Sequence, residues 1–233
     1  MNVMLMDPPA VKQQTVSYED YLDQASESRI MEWVDGEVIT YMPASDRHQD
    51  ISRFLTTILD TFVTFFKLGF LRYAPFEAKL WPNGPSREPD VLYISQEQSE
   101  QLQPQRFIGG PALVIEIISP SSVTADRVDK FSEYERAGVE EYWLIDSRPY
   151  QQQADFYRRQ EDKFEAVPLT DEGIFHSAVL PHFWLNPAWL TAETLPNPQR
   201  ILSEIMLTVP DLSDEARAAY TALYNLLQTD KKN

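Results

Sequence analysis

Cysteine is absent from the 233 residues of this chain, so disulfides, thiolate metal centres and cysteine nucleophiles are excluded. Positive charge is scarce: 20 Lys and Arg face 36 Asp and Glu, for a formal charge of -16. That balance works against non-specific attraction to a polyanion, so any nucleic-acid role has to rest on a local basic patch or on bound metal. Long apolar runs are missing too. A bilayer span takes about 20 predominantly apolar residues, and Phe62-Val63-Thr64-Phe65-Phe66 is far shorter. Met1 to Gln14 shows neither the basic start and apolar stretch nor the small-residue cleavage site of a secretion signal; with Pro8-Pro9 it reads as part of a loose arm over residues 1–16. A cytoplasmic protein without a membrane partner is the expectation. No internal repeat is evident.

Hydrophobic residues make up 43% of the chain and aromatics 12%, enough to bury one sizeable core. We expect a main domain over residues 17–190 and a helical extension over 191–233. Ser17 caps a short helix beginning Tyr18-Glu19-Asp20. Trp33 to Tyr41 gives two β-prone runs around Asp35-Gly36, a hairpin. After Pro43, Ser45 or Asp46 caps a helix whose Ile51, Leu55, Ile58, Leu59, Phe62 and Phe66 recur at helical spacing and which ends near Gly69. Phe70 to Trp81 reads as one extended segment, and Gln96 to Gln105 as loop or short helix. Leu113 to Ile118, a helix from about Ala125 to Ala137 closed by Gly138, and Glu141 to Asp146 form a strand, helix, strand unit of the length that favours parallel pairing. Shorter antiparallel strands follow at Phe156-Tyr157, Phe164 to Val167 and Ile174-Phe175. In the final helix, Ser213 to Gln228, the residues Leu212, Ala216, Ala219, Tyr220, Leu223 and Leu227 make an apolar stripe. It must bury on the domain or across a homodimer contact.

Chemistry concentrates in two of these strands. Glu116 lies inside the unbroken apolar run Leu113-Val114-Ile115-Glu116-Ile117-Ile118, where an unpaired carboxylate costs several kcal/mol, on the order of a lost buried charge partner. Val114 and Ile118 share its face while Leu113, Ile115 and Ile117 point the other way, so the strand is central. Asp90 follows Pro89 at the head of the neighbouring strand. Taken singly, Asp90 suits a turn and Glu116 a hydrogen-bonded buried acid; the pair together points to a metal-dependent phosphodiesterase. Asp126 and Lys130 share one helix face, either as part of that site or as an exposed ion pair.

Arg87-Glu88-Pro89-Asp90-Val91, Val114-Ile115-Glu116-Ile117-Ile118-Ser119-Pro120-Ser121-Ser122, Asp126, Lys130, Tyr134 and Ala137 to Asp146 together resemble the restriction-endonuclease-like proteins of the PD-(D/E)xK superfamily, specifically a bacterial branch described as restriction endonucleases. The resemblance runs from about Tyr18 to Phe164. It implies an α/β fold with a mixed central sheet flanked by helices, accompanied here by antiparallel strands and the C-terminal helical extension. It also implies Asp90 and Glu116 as ligands of Mg²⁺ or Mn²⁺, hard cations suited to oxygen donors, and DNA as substrate. The sequence departs from the superfamily pattern two residues after Glu116, where Ile118 replaces the catalytic lysine. Lys130 is the natural substitute, a migrated catalytic amine. Glu37 in the hairpin and His48 near the start of the long helix match the family as further catalytic candidates; hydrogen bonding at the helix start is the other reading of His48. Lys79, Arg87, Arg127 and Arg136 are candidates for phosphate contact or ordinary solvated charge, and Arg158-Arg159 joins them. The expected function is a Mg²⁺-dependent endonuclease acting on DNA. Its rival is a non-catalytic binding or assembly module built on the same scaffold.

Overall fold

A computed structural model describes residues 15–24, 30–40 and 44–228; the expected arm up to residue 14 and the break at Pro43 lie outside the described residues. Helix α1 (Tyr18–Gln24) starts at Ser17, whose Oγ accepts the Asp20 amide at 3.0 Å. Strands β1 (Met31–Val34) and β2 (Glu37–Thr40) form the hairpin, turning at Asp35 and Gly36 with φ of 48° and 87°. Two consecutive positive φ values are what a tight hairpin turn requires. Helix α2 (Asp46–Phe66) is capped by the Ser45 hydroxyl, which accepts the His48 amide at 3.2 Å, and buries Ile51, Leu55, Ile58, Leu59 and Phe62.

The segment expected as one extended piece divides between two sheets. Strand β3 (Gly69–Tyr73) enters one and β4 (Glu77–Lys79) the other, with Pro75, which has no amide to give to a ladder, between them. Gly69 begins β3 because a Cβ there would lie 2.1 Å from the Ile94 carbonyl oxygen. Then come β5 (Ser86–Arg87), β6 (Val91–Ser95), a 3₁₀ turn at Gln96–Gln101, β7 (Arg106–Ile108) and β8 (Leu113–Ile118). The following helix makes a π-helical turn at Ala125–Asp129 before continuing as α3 (Lys130–Ala137) and stopping at Gly138 with φ 84°. Strands β9 (Glu141–Asp146), β10 (Gln153–Gln160) and β11 (Lys163–Ala166) precede the short pair β12 (Phe175–His176) and β13 (Trp184–Leu185). Helices α4 (Ala188–Thr191), α5 (Pro198–Leu207) and α6 (Asp214–Gln228) complete the described chain.

The larger sheet has the order β11-β10-β9-β8-β6-β3, in which β8 and β9 run parallel, as expected, and the other neighbours antiparallel. Leu113, Ile115 and Ile117 of β8 face a core shared with α2 and with Ile201, Ile205 and Met206 of α5; Val114 and Ile118 face Tyr134, Tyr142 and Phe164 on the other side. Both faces are therefore dry, which is why the run around Glu116 is unbroken. A second sheet, β2-β1-β5-β4-β7, brings the hairpin beside the chain leading to Asp90. The stripe of α6 is only partly covered: Leu212, just before the helix, is buried, Ala216 and Tyr220 pack on the core, Leu223 and Leu227 are half-buried, and Ala219 is exposed.

Candidate active site

Asp90 and Glu116 come together through strand register. Strands β6 and β8 are antiparallel with Val91 opposite Ile115, and one further step sets Asp90 beside Glu116. The Asp90 carboxylate is held at both oxygens: Oδ2 accepts the Ile117 amide at 2.7 Å, and Oδ1 lies 3.2 Å from His48 Nε2. His48 reaches it from the first turn of α2, and its Nδ1 is buried without a partner among the described residues. Burial opposes the imidazolium, but contact with Asp90 outweighs it and holds the His48 pKa above its usual value.

Lys130 sits at the centre of the charged groups. Its Nζ is 3.1 Å from Glu116 Oε1, 3.1 Å from Glu32 Oε1 and 3.2 Å from Asp126 Oδ1. Tyr134, one turn further along α3, donates to Glu116 Oε1 at 2.7 Å. The π turn opens the helix between Asp126 and Lys130, so both side chains enter one pocket; such turns often occur at functional positions. Arg87 anchors the far side, with NH1 at 2.7 Å from Glu32 and a two-pronged contact to Glu133 at 2.7 and 2.8 Å. Burial alone would lower the pKa of the Lys130 amine. The charges of Glu116, Glu32 and Asp126 outweigh burial and hold its pKa well above the ordinary lysine value. Burial is likewise the main cause that lifts Glu116 well above the carboxylate range, with Lys130 opposing and Asp126, Asp90 and Glu32 adding to the rise. Asp126 is raised chiefly by burial, and burial pushes Glu88 up to about 8.

Glu32, Glu88 and Asp126 are among the residues that line a pocket of about 780 Å³. Asp90, Glu116, Lys130 and His48 all border it. Glu37 does not: it is exposed at the hairpin turn, opposite Val34. The hairpin acid that enters the site is Glu32, whose side chain is fully buried. A carboxylate within Ile30-Met31-Glu32-Trp33-Val34 carries the same signal as Glu116 in its own apolar run, so Glu32 was findable by that rule. The candidate phosphate-binding cations are already engaged. Arg87 is buried in its acidic clamp, and Lys79 donates to the Gly84 carbonyl at 2.7 Å with its ammonium 3.6 Å from the Tyr18 ring centre. Arg127 pairs with Asp146 and Asp155, and Arg136 lies over Trp81. Arg158 pairs with Glu141 and Arg159 with Asp162.

Among the described residues, no three His, Asp or Glu side chains form a ready-made metal cage. The donor chemistry nevertheless fits a hard cation. Glu32, Glu88, Asp90, Glu116 and Asp126 line the pocket against one lysine and one histidine, and such an excess of carboxylates calls for a proton or a cation. Two carboxylates completed by water are ordinary ligands for Mg²⁺.

A mixed sheet flanked by helices, with a Pro-Asp at the head of one strand beside a buried glutamate on the next, defines a nuclease-like fold. The chain belongs to the Uma2 family, described as "Putative restriction endonuclease", whose family model matches residues 18–188. It is similar to the uncharacterized protein sll1609 of Synechocystis sp., with 27% identity over 146 residues that cover 60% of this chain and 77% of that protein. Its fold is similar to the crystal structure of a protein from Anabaena variabilis described as "a putative nuclease belonging to DUF820". The TM-score is 0.62 and the identity 18%, covering 74% of this chain and 95% of that one.

Proposed function

We propose that this protein is a divalent-cation-dependent endonuclease that hydrolyses phosphodiester bonds in DNA, with Asp90 and Glu116 holding Mg²⁺ or Mn²⁺. The observation that carries the reading is the Lys130 ammonium 3.1 Å from Glu116, in a chain whose β8 has Ile118 where a catalytic lysine would otherwise stand. The cation would supply Lewis-acid polarisation of the phosphoryl group and activation of water. Lys130 contributes fixed positive charge where negative charge develops in the transition state, and needs no rearrangement to do so. Glu32 and Arg87 fix the direction of the ammonium, Tyr134 orients the Glu116 carboxylate, and the Ile117 amide with His48 orients that of Asp90. The unpartnered His48 Nδ1 is a further group available to water or a phosphate oxygen.

One observation favours the non-catalytic alternative: Lys130 is only 3% exposed and is already surrounded by three carboxylates, the arrangement of a structural ion cluster. The test is to incubate purified protein with labelled DNA in EDTA, Mg²⁺ and Mn²⁺, beside Asp90→Ala and Lys130→Met. Cation-dependent cutting that both variants lose by about 10²-fold or more, as for loss of a positioned electrostatic group, supports the enzyme. Wild type that neither cuts DNA nor binds Mn²⁺ assigns the chain to the alternative.

A further inference from the structure

The surroundings of the Lys130 ammonium are those of a bound cation. It lies 3.1 Å from Glu32 Oε1, 3.1 Å from Glu116 Oε1 and 3.2 Å from Asp126 Oδ1, oxygens that come from β1, β8 and the π turn. Each carboxylate has a support other than Lys130. Glu32 Oε2 accepts from Arg87 NH1 at 2.7 Å, and its Oε1 accepts the Glu88 amide at 3.3 Å. Glu116 Oε1 accepts the Tyr134 hydroxyl at 2.7 Å, and the Asp126 backbone is fixed by its amide, which donates to the Ser122 carbonyl at 2.8 Å. The convergence of the three oxygens therefore does not depend on the amine. Asp126 is only 1% exposed, yet its Oδ1 has no hydrogen-bond partner among the described residues. It meets the ammonium as a charge, not as a directed acceptor.

Charge and access both suit a divalent cation at this point. Without Lys130, the three carboxylates would face the Arg87 guanidinium alone, a formal excess of two negative charges, which one divalent cation matches. Glu32, Glu116, Asp126 and Lys130 all line the pocket, so an ion that enters it reaches them. Mg²⁺ holds oxygen ligands at about 2.1 Å, so each carboxylate would have to close by about 1 Å from its present distance around the ammonium. That spacing explains why the oxygens do not already form a metal cage. Asp90 stands outside the group, with its own oxygens directed to the Ile117 amide and to His48. Glu116 thus borders two cation positions, one shared with Asp90 and one filled by Lys130.

We infer that Glu32, Glu116 and Asp126 form a second divalent-cation position that the Lys130 ammonium fills, so that the pocket takes one metal ion where a pair would otherwise bind. The inference rests on the nuclease reading for the first position, at Asp90 and Glu116. In phosphodiesterases with two cations the pair clamps the attacking and leaving oxygens; a tethered ammonium in the second place supplies part of that charge and cannot be chelated away. The test is calorimetric titration of the full chain with Mn²⁺, beside thermal melting in EDTA and in Mn²⁺. Wild type should bind one Mn²⁺. Lys130→Ala, which opens the space of the amine, should bind two and lose the second when Asp126→Asn is added. Mn²⁺ should also raise the melting temperature of Lys130→Ala more than that of wild type, because an ion that binds only the folded chain stabilises it. Asp126→Asn alone, with the ammonium in place, should keep the wild-type ion with less than about a tenfold change in affinity, below the effect of losing a metal ligand's support. A Lys130→Ala protein that takes up no additional Mn²⁺, or that stays unfolded even in excess Mn²⁺, overturns the inference, as does an Asp126→Asn protein that loses the wild-type ion. Asp90-dependent cutting with no extra ion in Lys130→Ala would leave the nuclease reading standing and remove this one. If wild type binds no Mn²⁺ while Lys130→Ala binds one that depends on Asp126, the inference stands and the cation of the nuclease reading falls.

Discussion

Replacing Lys130 by methionine keeps most of the packing volume and removes the charge on which three carboxylates converge. Glu116 and Asp126 lose their ammonium, whereas Glu32 retains Arg87 at 2.7 Å. Breaking a buried ion pair from one side costs about 3–5 kcal/mol, because the remaining charge stays desolvated. For a chain of this size each kcal/mol moves the melting temperature by about 2–4 °C, so Tm should fall by about 6–20 °C. The loss should depend on pH in a definite direction. Glu116 already has a folded pKa above its unfolded value, and losing Lys130 raises it further. A carboxyl raised in this way destabilises the fold as pH rises from the unfolded pKa towards the folded one. Across roughly pH 5 to 8 the defect should therefore grow towards the alkaline end, as pH passes the folded pKa of wild-type Glu116 and only the variant still holds the proton. Adding Glu116→Gln to Lys130→Met removes the stranded charge and should recover part of the loss. Urea unfolding followed by circular dichroism at several pH values measures all three proteins. A Lys130→Met protein within about 1 kcal/mol of wild type at pH 8, or a defect equal at both ends of the range, would refute the reasoning, since surface pairs alone have so little effect.

Glu88→Gln should flatten one component of the pH profile in the metal-free protein. With a folded pKa of about 8 against 4.5 for the ordinary side chain, Glu88 lowers stability as pH climbs through that window, so the glutamine variant should gain on wild type towards the alkaline end; identical profiles in chemical denaturation would contradict this. Calorimetric titration with Mn²⁺ should show binding by wild type that is lost in Asp90→Ala and weakened in Glu116→Gln, and equal binding by all three would remove the cation from the site. Ending the chain at Pro210 removes α6 and uncovers the side of Phe65 that meets Tyr220, whose ring centres are 5.9 Å apart. Thermal melting should drop by a few degrees, roughly the effect of uncovering one or two half-buried side chains; an unchanged melt would mean that the helix contributes nothing to the fold.

The centre of the candidate site was legible because it leaves local marks: Pro89-Asp90 at a strand head, Glu116 in an unbroken apolar run, and Lys130 four residues beyond Asp126. The supporting groups leave none. Arg87 reads as a candidate phosphate contact until β5 is seen to pair with β1 and set it against Glu32. Glu37 matches the family's hairpin acid along the sequence, and hairpin composition does not show that the Glu32 end of β1 is the one that reaches Arg87 and Lys130. The same blindness to long-range pairing merged β3 and β4 into one segment. Basic residues suggested free surface charge, whereas Lys79 and Arg87 are buried at 3% and 2% exposure; sequence counts charges without showing which acids already hold them.

The clamp around Arg87 also bears on the order of events in folding. Its contacts reach 55 residues back to Glu32 and 46 forward to Glu133, and they join two strands of the second sheet, β1 and β5, to helix α3. Loop-closure entropy must be overcome before such distant partners meet, so this cluster is expected to assemble after the sheets, on the native side of the main barrier. Substitutions at Arg87, Glu32 or Lys130 should then speed unfolding far more than they slow folding, which stopped-flow measurements resolve as a shift confined to the unfolding arm. A cation held by Asp90 and Glu116 would act on the same arm, lengthening the lifetime of the folded chain without hastening its arrival.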